Sequence, residues 1–255
     1  MSDRDFSRLN DPPIAAASAI VARRLRRHSV VGERAVQALH SVLGVPVKFA
    51  AGVLVAQTGD APDLMTIVQK GVAGRSSILP NGRRQIHSLF LPGETADAEI
   101  ALFDVRPDNL EILTPCTLWL APMKRMAALL RSEPELTEAF AREAAIASQV
   151  AREWVVSLGQ RTALQRIAHL ICELDARFGA LGLVEADTFI QPLTQQTLAD
   201  AQGLSTVHVN RVLQDLRDRN LICVERRRLT ILDRDRLQRL ALFDGRYLYL
   251  TPLAA

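Results

Sequence analysis

The chain has 255 residues, which is enough for two modest domains with hydrophobic cores. A hydrophobic content of 48% argues against a disordered chain, and a net charge of only +3 argues against a general binder of polyanions. Any contact with nucleic acid must therefore come from the local placement of basic side chains.

Cysteine usage and hydropathy indicate the cellular setting. Cys116, Cys172 and Cys223 stand singly, so no spacing indicates a disulfide framework or a zinc site. No apolar run approaches the length of a membrane span, and no export signal is evident at the N-terminus. We expect a cytoplasmic protein that does not bind membranes.

The N-terminal part is polar at first and then has a helical pattern. Residues 1–13 are polar with a Pro-Pro step, and we expect them to be loosely held. Residues 14–43 predict a helix that contains a cluster of four arginines, Arg23, Arg24, Arg26 and Arg27. We interpret this cluster as a solvated helix face, with contact to DNA as the alternative.

From Val45 the pattern changes to short apolar runs of strand length, separated by turn signals that contain glycine. Asn81-Gly82 is a strong hairpin turn, because both residue types tolerate a positive φ. Further runs at 100–103, 110–113 and 117–121 continue the series. Regular short strands of this kind predict an antiparallel roll or barrel.

A long helix is predicted over 135–159, because apolar and small residues recur there at three- and four-residue spacing. The stripe consists of Leu136, Phe140, Ala144, Ala147, Ala151, Trp154 and Leu158. Its alanines would permit close approach of a second helix. The alternative is that this face packs against the roll of the same chain. A second amphipathic helix is expected over 161–180.

Residues 194–219 have the pattern of two short helices joined by a tight turn. Thr194 and Ser205 are placed to cap the two helices, and Gly203 supplies the positive φ of the turn. After the second helix, residues 221–232 predict two short strands joined by three arginines. This order indicates a helix-turn-helix followed by a basic wing.

The outer face of the second helix carries side chains that can contact base edges. Asn and Gln pair with adenine, and Arg with guanine, through two hydrogen bonds. A polar helix face alone is usually just solvated, but here it occurs together with the caps, the turn glycine and the wing. The residues predicted to contact DNA are Thr194, Gln195, Gln196, Ser205, Thr206, Val207, His208, Asn210, Arg211, Gln214, Arg226, Arg227 and Arg228.

The stretch from Gly203 to Arg211 resembles the helix-turn-helix of the Crp/Fnr family of bacterial transcription regulators. The resemblance covers about 25–243, since the roll contains Gly-Asp, Asn-Gly-Arg-Arg-Gln-Ile and Leu-Pro-Gly-Glu in the family's order. It implies an α+β fold with an N-terminal antiparallel β-roll (a double-stranded β-helix), a long dimerisation helix and a C-terminal winged helix-turn-helix. The expected domains are 1–134, 135–159 and 160–255.

The resemblance also implies partners. It implies a homodimer that binds double-stranded DNA at an inverted repeat, with RNA polymerase as a further candidate partner. The matching family positions assign phosphate contacts to Thr194, Gln196 and Ser205 and guanine recognition to Arg211. The seven residues of the long-helix stripe are then the expected dimer interface.

An effector pocket in the roll is implied as well, with Arg84, Gly93, Glu94 and Arg106 as its candidate residues. Nucleotide-binding members carry an arginine and a small residue, about ten positions after Gly-Glu, that hold phosphate and ribose. Here Asp104 stands at that position, and its carboxylate would repel an anion. We therefore expect an unidentified small-molecule effector other than a cyclic nucleotide.

The sequence does not contain the residues that other classes of protein would need. The cysteine cluster of the iron–sulfur members is missing, and His87 is the only histidine in the roll, so no cofactor or metal is expected. We find no nucleophile elbow and no phosphate-cradling loop, so we expect no catalytic residues and no enzyme. The alternative function is a ligand-sensing signalling module whose helix-turn-helix serves protein contact.

Overall fold

The computed structural model describes residues 14–98, 103–185, 187–190, 193–225 and 228–250. It begins with two helices, α1 (Ile14–His28) and α2 (Glu33–Leu43). The single helix expected over 14–43 is divided at Gly32, whose backbone is extended. The Gly32 N–H donates a hydrogen bond to Glu135 Oε2 at 2.8 Å. A carboxylate far along the sequence therefore pairs with the backbone N–H at the break between the two helices.

Among the described residues, the N-terminal part of the chain contains a roll of seven antiparallel strands in two sheets. The strands are β1 (Val47–Phe49), β2 (Leu54–Ala56), β3 (Leu64–Lys70), β4 (Ala73–Ile78), β5 (Arg84–Phe90), β6 (Asn109–Ile112) and β7 (Cys116–Pro122). One sheet has the order β1-β7-β3 and the other β2-β6-β4-β5. Buried apolar side chains from both sheets, such as Val68, Leu110 and Leu118, form the core of the roll.

The expected hairpin joins β4 to β5, which pair in antiparallel register from Ala73 opposite Phe90 to Ile78 opposite Arg84. Gly82 in the loop between the two strands has φ +79°, whereas Asn81 is not among the residues with a positive φ. Most of the strand expected at 100–103 lies outside the described residues.

The roll is followed by α3 (Met123–Ser132) and the 27-residue helix α4 (Pro134–Gln160). Leu136 and Phe140 are buried in a core that α4 shares with α1, α2 and α3, and Trp154 is buried against the C-terminal part of the chain. The prediction that these three side chains contact a second copy is wrong, because contacts within the chain already cover them. Ala147 and Ala151 are exposed, while Ala144 and Leu158 are half-buried.

The arginine cluster of α1 is also not the uniformly solvated face that we expected. Arg24 is buried and pairs with Glu94 of the roll and Glu143 of α4. Arg23 and Arg27 donate hydrogen bonds to the carbonyl oxygens of Leu181 and Ala180. The cluster therefore connects α1 to three other parts of the chain.

The C-terminal part contains α5 (Ala163–Ala180), β8 (Thr188–Ile190), α6 (Gln195–Gln202), α7 (Thr206–Asp218), β9 (Ile222–Glu225), β10 (Arg228–Ile231), α8 (Arg234–Ala241) and a 3₁₀ turn (Gly245–Leu248). The three strands form one antiparallel sheet in the order β8-β10-β9. The expected α+β architecture, with roll, long helix and winged helix-turn-helix, is confirmed.

One hydrophobic core joins the roll to the C-terminal part. Ile86 and Leu89 of β5 belong to the same buried cluster as Ile171 of α5 and Leu198 of α6. Arg84 of β5 makes an ion pair with Asp200 of α6, with 2.6 Å between Nη2 and Oδ2. The orientation of the helix-turn-helix is therefore set by its packing against the roll.

Among the described residues, no helix has the combination of length and apolar composition that crossing a membrane would require.

Candidate nucleic-acid interface

The helix-turn-helix is built as its residue pattern predicts. The Thr194 hydroxyl accepts a hydrogen bond from the Thr197 N–H at 3.1 Å, and the Ser205 hydroxyl accepts one from the His208 N–H at 3.2 Å. Gly203 has the left-handed conformation (φ 62°, ψ 38°), and its N–H donates to the Ala199 carbonyl. These contacts stop α6 and start α7 within three residues.

Helix α7 is divided cleanly into a buried and an exposed face. Its apolar positions Val209, Val212, Leu213 and Leu216 are buried in the shared core. The opposite face is solvent-exposed and consists of Val207, His208, Asn210, Arg211 and Gln214, with Thr206 half-buried beside it. The residues predicted to read bases therefore share one accessible surface.

The exposed side chains differ in whether they already form hydrogen bonds within the chain. Gln214 donates to Asp218 Oδ1 at 2.7 Å and accepts a hydrogen bond from Arg217. Within the part of the chain that the structure describes, Arg211 makes no hydrogen bond or ion pair. Arg211 can therefore bind a base without first breaking an internal contact.

The residues predicted to hold phosphates lie at the ends of the two helices. Thr194, Gln195 and Gln196 are exposed at the start of α6, and Ser205 is exposed at the start of α7. The N–H groups that open a helix carry partial positive charge, so each of these ends favours an anion. Gln196 donates a hydrogen bond to Asp200 Oδ1 at 2.8 Å, which it would exchange on binding phosphate.

The wing consists of β9 and β10, which pair with Arg228 opposite Glu225. Arg228 is exposed at the start of β10. Arg226 and Arg227, the other two residues predicted for the wing, lie outside the described residues.

The sequence interpretation missed the start of α5. Thr162 caps this helix in a reciprocal arrangement with Gln165. It borders an open groove of about 590 Å³, whose other wall contains Ser205, Val207 and Arg211 of the helix-turn-helix. The Thr-x-x-Gln spacing at 162–165 is a capping-box signal and could have identified this third helix end at the same surface.

The four residues predicted for the effector pocket do not meet in one pocket. Arg84 pairs with Glu111 and Asp200, and Arg106 is buried in an ion pair with Asp97, with 2.7 Å between Nη1 and Oδ1. Gly93 packs under α1, where an added Cβ would lie 3.1 Å from the Ile20 carbonyl oxygen. Only Glu94 lines the cavity between the roll and α4. The prediction for the other three is corrected, because tertiary contacts direct them elsewhere.

Glu94 instead forms the centre of a buried ion-pair network. Arg24 of α1 and Arg177 of α5 contact its two carboxylate oxygens at 3.0 and 2.6 Å. Burial by itself would raise the pKa of Glu94, but the Arg177 and Arg24 guanidiniums lower it below its ordinary value. The carboxylate is therefore ionised at neutral pH and connects three elements of the chain.

No cluster of three or more His, Cys, Asp and Glu side chains that could hold a metal ion occurs among the described residues.

Two family models match this chain. Residues 46–133 match the model described as a cyclic nucleotide-binding domain, and residues 165–240 match the Crp-like helix-turn-helix domain. The two matches coincide with the roll and with the helices and sheet that carry the exposed α7 face.

Curated relatives extend the similarity across most of the chain. The chain is 29% identical over 190 residues to the transcriptional activator protein FnrL of Cereibacter sphaeroides, which covers 72% of this chain and 75% of that protein. It is 27% identical over 201 residues to the nitrogen fixation regulation protein FixK of Azorhizobium caulinodans, covering 78% of this chain and 80% of that protein. Both relatives are described as regulators.

Solved structures show the same fold. The structure of FixK2 from Bradyrhizobium japonicum superposes with a TM-score of 0.69 at 21% identity, covering 77% of this chain and 97% of that one. At this level of identity the likeness concerns the fold alone.

Proposed function

Since the chain belongs to the Crp/Fnr family of bacterial transcription regulators, we propose that it acts as a homodimer that binds an inverted repeat in double-stranded DNA through α7. The observation that carries this proposal is the exposed face of α7, on which Arg211 makes no hydrogen bond or ion pair with other described residues. In a symmetric dimer the two copies of α7 would enter successive major grooves, about one helical turn apart.

Contacts to bases and to phosphates have different roles in this proposal. Arg211 reads a guanine, and His208 and Asn210 are additional readers on the same face. Thr206 and Val207 stand where many family members carry charged, base-reading residues, so the half-site differs from theirs. The phosphate contacts come from Thr194, Gln195, Gln196, Ser205 and the wing arginines 226–228.

The dimer forms through the part of α4 that the fold leaves exposed. Ala141, Ala145, Ser148, Arg152 and Val155 are all exposed and follow one another at four- and three-residue spacing. This spacing places them on one stripe of the helix, as in a pair of packed helices. Ala147 and Ala151, predicted earlier for the interface, lie beside this stripe.

Besides binding DNA, the protein would respond to an effector and contact a further protein partner. The roll senses a small molecule other than a cyclic nucleotide, and the DNA-bound dimer contacts RNA polymerase. The protein works in the cytoplasm, where it has access to DNA, and it catalyses no reaction.

A binding-site selection followed by a salt titration tests the DNA proposal. The full chain should select an inverted repeat from random duplexes, and its affinity should fall steeply with salt as phosphate contacts release counterions. If no sequence is enriched and affinity does not change with salt, the helix-turn-helix serves a protein contact instead.

A further inference from the structure

The C-terminal tail, residues 242–250, returns from the end of α8 to the junction between α4 and α5. Only Arg161 and Thr162 separate these two helices. The 3₁₀ turn of the tail contacts both α4 and α5, and Leu248 at its end is buried. The part of the chain that contains the helix-turn-helix is therefore connected to α4 through the junction and also through the tail.

Glu173 of α5 is the point at which α4 and the tail meet. Its side chain is fully buried. Glu173 Oε2 accepts hydrogen bonds from Trp154 Nε1 of α4 and from the Tyr247 hydroxyl of the tail, both at 2.9 Å. Glu173 Oε1 accepts a third hydrogen bond, from Arg177 Nη1 at 2.8 Å. Hydrogen bonds to an ionised carboxylate are strong, so one oxygen atom holds α4 and the tail to α5.

The ring of Tyr247 is held on its faces as well as at its hydroxyl. It stacks on the His169 ring with 5.9 Å between the centroids, and Phe243 packs against His169 edge-on at 5.2 Å. Burial raises the pKa of Tyr247, and the negative charge of Glu173 raises it further. The hydroxyl therefore keeps its proton and remains a donor to the carboxylate.

The junction itself is bonded to the start of the tail. Arg161 Nε and Nη2 donate to the carbonyl oxygens of Ala241 and Leu242 at 3.2 and 3.1 Å. Arg161 Nη2 also lies 2.7 Å from Glu153 Oε1 of α4. A change in the angle between α4 and α5 would therefore have to break contacts on the tail.

These contacts are separate from those that hold α6 against the roll. Arg84 of β5 pairs with Asp200 of α6, whereas the tail acts at α4 and α5. In the proposed dimer, α4 carries the interface and α7 carries the face that reads bases. The angle between α4 and α5 then determines how far apart the two reading faces lie and how they are rotated relative to each other.

We propose that the C-terminal tail, through the contact of Tyr247 with Glu173, fixes this angle and so sets the half-site spacing that the dimer accepts. This inference rests on the proposed function, because a spacing is defined only for a dimer on an inverted repeat. Tyr247 is a positioning residue that acts through the junction. Each base pair added between the half-sites rotates one relative to the other by about a tenth of a turn, which a fixed junction cannot follow.

A series of duplexes with altered spacing tests the inference on the full chain. The half-sites selected by the wild type are kept, and the spacer is lengthened or shortened by one and two base pairs. The readout is the ratio of the affinity at the preferred spacing to that at each altered spacing. Tyr247→Phe should lower this ratio by about tenfold, because each of the two copies loses a hydrogen bond to a buried carboxylate.

Tyr249→Phe is the matched control, since it makes the same change in the same tail at a side chain that is 55% exposed. It should keep the wild-type ratio. A loss of folded protein lowers the affinity at every spacing alike, so the ratio responds to positioning and not to stability. Leu248→Ala, which truncates the buried side chain of the tail, should lower the ratio in the same direction and decides the matter if Tyr247→Phe does not fold.

An unchanged ratio in Tyr247→Phe, or an equal fall in Tyr249→Phe, would overturn the inference. The wild type separates this failure from that of the proposed function. If the wild type selects an inverted repeat and the variants keep its spacing preference, only the inference about the tail is wrong. If the wild type selects no inverted repeat, the proposed function is wrong.

Discussion

Arg211 has the environment that a base-reading side chain needs. It lies on the exposed face of α7, within reach of the groove that Thr162 and Ser205 border. Several other arginines of the chain, such as Arg24, Arg84 and Arg177, are committed to internal ion pairs. An exposed arginine that keeps all its donors can form the bidentate contact that distinguishes guanine from other bases.

Replacing Arg211 with alanine should relax the preference at one symmetric pair of base positions and cost about 1–3 kcal/mol of binding free energy. Selection of binding sites with the variant and the wild type measures the first effect, and a titration measures the second. Arg228→Ala is the matched comparison, because loss of a phosphate contact weakens all sequences alike and reduces the salt slope by about one unit. If the binding site selected by Arg211→Ala keeps the information content of the wild-type site at every base position, Arg211 does not read the guanine.

Gly203 shows how one residue shapes the element on either side of it. Its left-handed conformation ends α6, and the three residues between α6 and α7 leave no room to absorb a different backbone. An added Cβ would meet neighbouring side chains only at ordinary contact distances, with Leu158 Cδ2 at 3.7 Å. The cost of a substitution should therefore come from the backbone conformation.

At the scale of the element, Gly203→Ala should lower the free energy of unfolding by about 1–2 kcal/mol, the cost of placing an L-residue in the left-handed region. Gly159→Ala is the control. Gly159 lies in α4 with nothing within 4 Å of an added Cβ, so alanine there should be neutral or stabilising, by up to about 1 kcal/mol. Denaturant unfolding of both variants measures the sign of each change in the free energy of unfolding. If Gly203→Ala, like Gly159→Ala, does not lower the free energy of unfolding, the turn accepts other backbone conformations.

Helix α4 has two faces with different roles. Its buried face joins the N-terminal helices and the C-terminal part of the same chain through Leu136, Phe140 and Trp154. Its other face leaves two adjacent apolar side chains in contact with solvent, Val155 at 70% and Val156 at 48% exposure. This exposed face is the one that a second copy can cover.

The double variant Ala145→Glu and Val155→Glu should convert the dimer to a monomer, because two carboxylates on the stripe would face their symmetry mates across the helix pair. Light scattering coupled to gel filtration would show the mass of one chain in place of two. Ala128→Glu, exposed on α3, adds charge to another helix and should leave the dimer intact. An unchanged mass in the double variant would rule out this face as the interface.

At the scale of the whole molecule, buried ion pairs link elements that are far apart in the sequence. The network around Glu94 connects α1, the roll and α5, and Glu143 of α4 joins it through Arg24. His28 lies at its edge, with Nε2 3.7 Å from Glu143 Oε1, which is too far for a hydrogen bond. Burial lowers the pKa of His28 to about 4, and Arg24 adds repulsion of the protonated form.

The lowered pKa of His28 predicts a pH dependence of stability. In the unfolded chain an imidazole takes up its proton near pH 6.5, whereas in the folded protein it does so only near pH 4. The unfolded state therefore binds more protons between these values, and stability falls as the pH drops through this window. The melting temperature of the wild type should fall between about pH 7 and pH 5 more than that of His28→Gln. Equal slopes for the two proteins would contradict the assignment.

The amino-acid sequence by itself determined the helix-turn-helix, the wing and the class of the roll. Their signals are local. The caps Thr194 and Ser205, the turn at Gly203 and the hairpin at Asn81-Gly82 each depend on residues within a few positions of one another. Such patterns act through backbone conformation and nearest neighbours, so they can be interpreted without knowing the rest of the fold.

The tertiary structure decided which partner each buried group has. A stripe at three- and four-residue spacing indicates that a helix face is covered, but not that Leu136 and Trp154 are covered by their own chain. Arg84 and Arg106 likewise meet carboxylates far along the chain, at Asp200 and Asp97. The hydrogen bond from Tyr247 of the tail to Glu173 depends on a return of the chain to α5, which no local pattern encodes. Long-range contacts are selected by the packing of the whole molecule, and only the folded chain shows which of the possible contacts form.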